Sequence, residues 1–184
     1  MRTTTTTLLI ACTFAFFAHA ASANQPARHD FQIGKDVVRA VNDYAFLTIF
    51  DDINADLRHG VVTLTGKVTQ PFKASDLERR VARVAGVTRV VNRVESLPVS
   101  RFDDQLRYRI ARAIYGNGSF WNYAVMANPP IHIVVERGHV TLTGIVQNDV
   151  DRAIARSLAA QPGAFSITNA LKTSAEARAM REES

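Results

Sequence analysis

The nine residues Gly60-Val61-Val62-Thr63-Leu64-Thr65-Gly66-Lys67-Val68 return as Gly138-His139-Val140-Thr141-Leu142-Thr143-Gly144-Ile145-Val146, an offset of 78 positions. A repeat of this length constrains the architecture before anything else, because what one copy folds into the other must fold into as well. The correspondence runs on in both directions. Upstream, Ile53, Ala55 and Leu57 face Ile131, Ile133 and Val135. Downstream, with one residue deleted, Leu77 and Val81 align with Ile154 and Leu158, Gly86 with Gly163, and Val90, Asn92 and Val94 with Ile167, Asn169 and Leu171.

Each copy reads as the same series of elements. Leu106, Ile110, Ala113 and Ile114 fall at helical spacing after Asp103 and Asp104, which predicts a helix with an aspartate capping its first turn. Val37, Val38, Val41, Tyr44 and Ala45 after Asp36 predict its counterpart. Alternation of Ile53, Ala55 and Leu57 with Asn54, Asp56 and Arg58, and of Val62, Leu64 and Val68 with their neighbours, predicts two half-buried strands. The chain reverses between them at Arg58-His59-Gly60, and at Arg137-Gly138 in the second copy, where glycine supplies a positive φ. A second helix carries Ala74, Leu77, Val81 and Val84, or Ala153, Ile154, Leu158 and Ala159, with Gly86 and Gly163 expected as left-handed C-caps. Closing strands are expected over Val87–Val94 and Phe165–Leu171.

The predicted class is therefore α+β: two tandem αββαβ two-layer sandwiches, each a three-stranded mixed sheet with two helices on one face, the second helix forming a right-handed crossover. The expected organisation is an extension over 24–35, domain 1 over 36–97, a linker over 98–102, domain 2 over 103–173 and a tail over 174–184. A unit of about 65 residues is near the lower limit for a self-sufficient core, so the two are expected to pack together.

Ahead of the repeat, Met1-Arg2, the apolar Leu8–Phe17 stretch and the small residues Ala21-Ser22-Ala23 predict a cleavable secretory signal over residues 1–23. Cleavage after Ala20 and after Ala23 are both compatible with the sequence. Leu9-Ile10-Ala11-Cys12 resembles a lipoprotein box, but most of the apolar segment follows Cys12 instead of preceding it. Removal of residues 1–23 takes away the only cysteine and leaves 161 residues with 21 basic and 17 acidic side chains. The mature protein then forms no internal disulfide and offers no thiolate to a metal.

Gly60–Gly66 followed by a helix, Gly86-Val87 and Val90-Val91-Asn92 resembles the BON domain, named for bacterial osmotic-stress and nodulation proteins. The second copy keeps Gly138–Gly144 and Asn169 and replaces the later Gly-Val by Gly163-Ala164. The resemblance implies a non-enzymatic periplasmic module without cofactor, linked to osmotic or envelope stress. Its implied partners are anionic phospholipid surfaces or, alternatively, another envelope protein.

Two groups of residues are candidates for that contact. Tyr115, Phe120, Trp121, Tyr123 and Met126 crowd the stretch before Pro129-Pro130, which is longer than the family pattern leads one to expect. Trp and Tyr combine an apolar body with a polar tip and suit a membrane interface. The competing placement for these aromatics is the groove between the domains. Lys73, Arg79, Arg80 and Arg83, with Arg89 and Arg93 nearby, form the second group, a basic face suited to lipid phosphates. No nucleic-acid motif accompanies the positive charge. Nothing matches a nucleophile elbow, a phosphate loop or paired histidine metal ligands, so no catalytic or metal residue is assigned. Asp51-Asp52, Asp103-Asp104, Asp149 and Asp151 are read as caps and turns.

Overall fold

The computed structural model describes residues 30–182, so the predicted leader, its cleavage sites and Cys12 lie outside the described residues. Helix α1 (Asp30–Asn42) turns Ile33, Val37 and Val41 inward. Strands β1 (Asp52–Arg58) and β2 (Val61–Val68) form an antiparallel hairpin. Helix α2 (Pro71–Val81) then crosses over to β3 (Arg89–Ser96), which lies parallel to β2, giving the order β1-β2-β3.

Domain 2 repeats the plan with α3 (Arg101–Tyr115), the hairpin β4 (Ile131–Glu136) and β5 (His139–Val146), α5 (Asp149–Ala159) and β6 (Ser166–Asn169). A 3-10 turn (Gly118–Phe120) and the short α4 (Trp121–Ala124) are inserted before β4, and β7 (Lys172–Thr173) prolongs the parallel edge of β5. Helix α6 (Ser174–Glu182) follows. Each domain has its own core. Val62, Leu64, Val68, Leu77 and Val81 centre the first; Leu106, Ile110, Ile133, Leu142 and Ala155 belong to the second.

Several local expectations are corrected. Helix α1 already runs from Asp30, so Asp36 lies inside it. Ser100, not Asp103 or Asp104, caps α3, its side chain accepting the Asp103 N–H. Asp103 is buried instead and accepts the N–H groups of Arg137 and Gly138, each at 2.8 Å. Asp30 does the same for the first hairpin, accepting the His59 N–H at 2.9 Å. Both turn residues take positive φ in each copy, 49° and 75° at His59-Gly60 and 51° and 78° at Arg137-Gly138. A hairpin turn of that kind leaves N–H groups pointing outward, and the aspartate of the first helix satisfies them.

The helices α2 and α5 coincide at the full offset of 78, so Leu77 and Val81 correspond to Ala155 and Ala159. Ile154 and Leu158 are not their counterparts. The deleted residue falls in the turn after the helix. Gly86 and Gly163, with φ of 96° and 95°, shape that turn and lie beyond the helix ends. Gly66 and Gly144 explain why the repeat keeps a glycine inside a strand. A Cβ there would stand 2.0 Å from the Asp52 carbonyl and 1.8 Å from that of Pro130, at φ of 119° and 110°.

The domains touch at one end of domain 1. The Ile49 carbonyl accepts the Ile133 N–H at 2.7 Å, the Phe50 ring stands edge-on to Tyr108, and Lys67 pairs with Glu136 across the junction. The Glu136 carboxylate raises the pKa of the Lys67 ammonium, outweighing its partial burial.

Candidate functional site

The two predicted groups of contact residues separate in space and in role. Lys73 continues the inward stripe of Leu77 and Val81 and is 4% exposed. Its Nζ lies 2.7 Å from Oδ2 of Asp51, itself 1% exposed. The Asp51 carboxylate also accepts the N–H and hydroxyl of Thr48, at 2.8 and 2.9 Å, and those of Thr69, at 2.7 and 2.9 Å. Burial works against charge on Asp51, but Lys73 and the threonine donors outweigh it and hold the carboxyl below the usual carboxylate range. Asp51 thus sits in a buried network and not at a helix end, and Lys73 is withdrawn from any surface role.

Domain 2 builds the same junction with reversed polarity. Asp151 stands at the position of Lys73, and the Tyr123 hydroxyl donates to it at 2.6 Å while accepting the Gln147 N–H at 2.7 Å. Gln147 corresponds to Thr69. In both copies the first N–H after the central strand is therefore received by a buried polar group. Burial, reinforced by Asp151, pushes the Tyr123 hydroxyl up to about 12.

The aromatic stretch before β4 divides into an inner and an outer side. Phe120 and Tyr123 are buried in the core of domain 2, and the half-buried Tyr115 donates its hydroxyl to the Ile131 carbonyl at 2.6 Å. They fill domain 2 itself and not a groove between the domains. Trp121, 67% exposed, stands outside with Val125 and Met126. This outer side carries no charge at all, since residues 115–130 contain no Lys, Arg, Asp or Glu.

The remaining cations stay on domain 1. Arg80 is tied down, donating to the carbonyls of Ala40 and Asp43 at the end of α1, each at 3.2 Å, with its guanidinium over the Tyr44 ring. Arg79 pairs with Asp76 yet stays open to solvent, and Arg83 is exposed with no ion-pair partner among the described residues. Asp76 also accepts the Tyr44 hydroxyl at 2.6 Å; burial and this carboxylate push Tyr44 up to about 12.

Sequence reasoning missed two aromatics on the same surface. Phe46 (61% exposed) and Phe72 (46% exposed) meet edge to face, with ring centroids 6.0 Å apart. Phe72, Asp76 and Arg79 recur at helical spacing on the side of α2 away from Lys73, Leu77 and Val81, and Arg83 follows in the turn just beyond the helix. An aromatic on the polar side of that stripe was the readable signal. Along the axis of α2, Phe72 and Arg79 stand about 10 Å apart, at 1.5 Å per helical residue.

No group of three or more His, Cys, Asp or Glu suited to a metal occurs among the described residues. His59 and His139 occupy the hairpin turns, and His132 lies on the helix-free face of its sheet.

The profile of the BON domain matches residues 29–98 and again residues 103–175. The chain belongs to the BON-domain family. Both BON domains carry an Asn in the closing strand, and its role is now visible: Asn92 and Asn169 donate to the carbonyls of Ala74 and Arg152, each at 2.9 Å, locking strand to helix. Two solved structures are similar in part. CdsD, a structural protein of the type III secretion system of Chlamydia trachomatis, is 13% identical, with 82% of this chain and 97% of that one covered and a TM-score of 0.30. A C-terminal domain of the same protein is 12% identical, with 78% and 98% covered and a TM-score of 0.29. No curated protein matches the chain.

Proposed function

We propose that this protein is a non-enzymatic periplasmic module of the cell envelope, tied to osmotic or envelope stress, which docks reversibly on anionic phospholipid through domain 1. The observation that carries the reading is the exposed Phe46–Phe72 ring pair at the start of α2, whose same side carries the exposed Arg79. An anionic bilayer attracts cations at its surface and accepts aromatic rings just beneath it. Two cations supply about 2 kcal/mol. Two half-exposed rings add about 1 kcal/mol each on insertion. The sum of about 4 kcal/mol corresponds to weak, reversible association, and half of it is lost in high salt.

Cosedimentation with phosphatidylglycerol vesicles tests the reading. Wild-type protein pellets at low salt and is released at high salt, while Phe46→Ser/Phe72→Ser and Arg79→Glu/Arg83→Glu stay in the supernatant. Equal pelleting of all three proteins contradicts it. A second reading rests on the uncharged Trp121–Val125–Met126 surface, which suits another envelope protein better than an anionic membrane. Capture of a stoichiometric envelope protein by wild type, lost in Trp121→Ser/Met126→Ser, is its test.

A further inference from the structure

The outer edge of the second sheet is closed at every outward-facing residue of β4. The Tyr115 hydroxyl bonds both the carbonyl and the N–H of Ile131, the Ile49 carbonyl takes the Ile133 N–H, and the buried Arg107 donates to the Val135 carbonyl. The corresponding outward residues of β1 are Ile53, Ala55 and Leu57, and no such bond reaches them among the described residues. The position matching Arg107 in the first helix is Gly34, which leaves space where the guanidinium sits in domain 2. That space is an open groove lined by Phe31, Gly34, Val38, Ala55 and Leu57, with Phe31 71% and Val38 54% exposed.

An uncovered edge invites another strand, and the sequence of this one fits itself. We infer that β1 pairs antiparallel with β1 of a second copy, about a two-fold axis through Ala55. Only outward-facing residues exchange backbone bonds in such a ladder, and with the axis on Ala55 that rule is met: Ala55 meets Ala55, and Ile53 meets Leu57. The residues on the helix-free face, of which Asp52 is half-buried beside Glu136 and Arg137, then fall opposite one another as Asp52 with Arg58 and Asn54 with Asp56. Both ends gain an opposite-charge pair, and no like charges meet. Shifting the axis by one residue either way sets Asp52 against Asp56 or Asp56 against Asp56, and like charges directly opposite are destabilising. A two-fold contact of this kind is self-complementary and closed. It joins the two three-stranded sheets of the first domains into one of six and brings the two apolar grooves together.

The test is made in lipid-free buffer, so its outcome is independent of the proposed membrane docking. Sedimentation equilibrium from roughly 1 to 500 µM follows the mass-action behaviour of a dimer. The wild-type chain is expected to rise to twice its monomer mass. Arg58→Asp weakens the dimer by about ten-fold or more, and Asp52→Arg/Arg58→Asp restores it, because the swap returns opposite charges to facing positions. In a Cys12→Ser background, Ala55→Cys forms an intermolecular disulfide under mild oxidation, since paired Cα atoms about 5.5 Å apart lie within disulfide range. Asp56→Cys forms none. A monomer across the whole range overturns the inference. So does a dimer indifferent to Arg58→Asp in which Ala55→Cys and Asp56→Cys cross-link equally.

Discussion

Replacing Lys73 by Met deletes the cation of the buried junction in domain 1 and leaves the chain otherwise nearly isosteric. Asp51 then remains buried with four donors from Thr48 and Thr69 and no counter-charge. Removing one member of a buried ion pair costs about 3–5 kcal/mol. The four surviving donors put this site near the lower bound, about 3 kcal/mol, a large share of the roughly 5 kcal/mol that a small domain commands. Removing both charges, as Asp51→Leu/Lys73→Met, does not relieve the cost, because the N–H and hydroxyl donors of Thr48 and Thr69 then lose their acceptor. The readout must resolve the domains. The single tryptophan, Trp121, belongs to domain 2, so its emission does not report directly on domain 1. Hydrogen exchange by mass spectrometry does: Lys73→Met accelerates exchange over β1, β2 and α2 while β4, β5 and α5 keep most of their protection. A change within about 0.5 kcal/mol of wild type, the range of ordinary surface substitutions, refutes the claim that the pair anchors domain 1.

Four other outcomes follow from the same geometry. Asp51 holds its proton less tightly in the folded protein than in the unfolded chain, so it adds stability above the ordinary carboxylate pKa and loses it as pH falls through the lowered folded value; Asp51→Asn flattens that acid limb in pH-dependent urea melts. Gly144→Ala forces a Cβ against the Pro130 carbonyl at a positive φ and destabilises domain 2 by about 2 kcal/mol or more in urea melts followed by Trp121 emission. Tyr123→Phe strips the Gln147 N–H and Asp151 of their shared partner, at about 2 kcal/mol by the same assay. Trp121→Ser changes stability by less than about 0.5 kcal/mol by circular dichroism, because the indole stands in solvent.

The repeat, the hairpins and the order of elements were legible because they rest on short-range periodicity. Lys73 was misplaced on the basic face: it continues the spacing of Leu77 and Val81, but its charge argued for solvent, and its buried partner Asp51 lies 22 residues away. The matching junction in domain 2 was hidden because its chemistry is inverted. A tyrosine and an aspartate there do what an aspartate and a lysine do in domain 1, so no identity links them. Asp103 resembled a cap because it lies in a first turn; its true partners, Arg137 and Gly138, are brought to it only by the fold. The aromatic stretch was too short for a moment to be read. One 3-10 turn and one α-turn suffice to send Phe120 and Tyr123 inward and Trp121 outward. Placing Phe46 beside Phe72 needed the tertiary structure, since a loop and a helix 26 positions apart share no local pattern.

Hydrogen exchange of the full chain with and without phosphatidylglycerol vesicles bears most directly on the docking surface. The account predicts slowed exchange over residues 44–47 and 72–83 on adding vesicles, with residues 119–127 unchanged and Trp121 emission unshifted. Protection centred on 119–127 with a blue shift of Trp121, or no protection in domain 1, contradicts it.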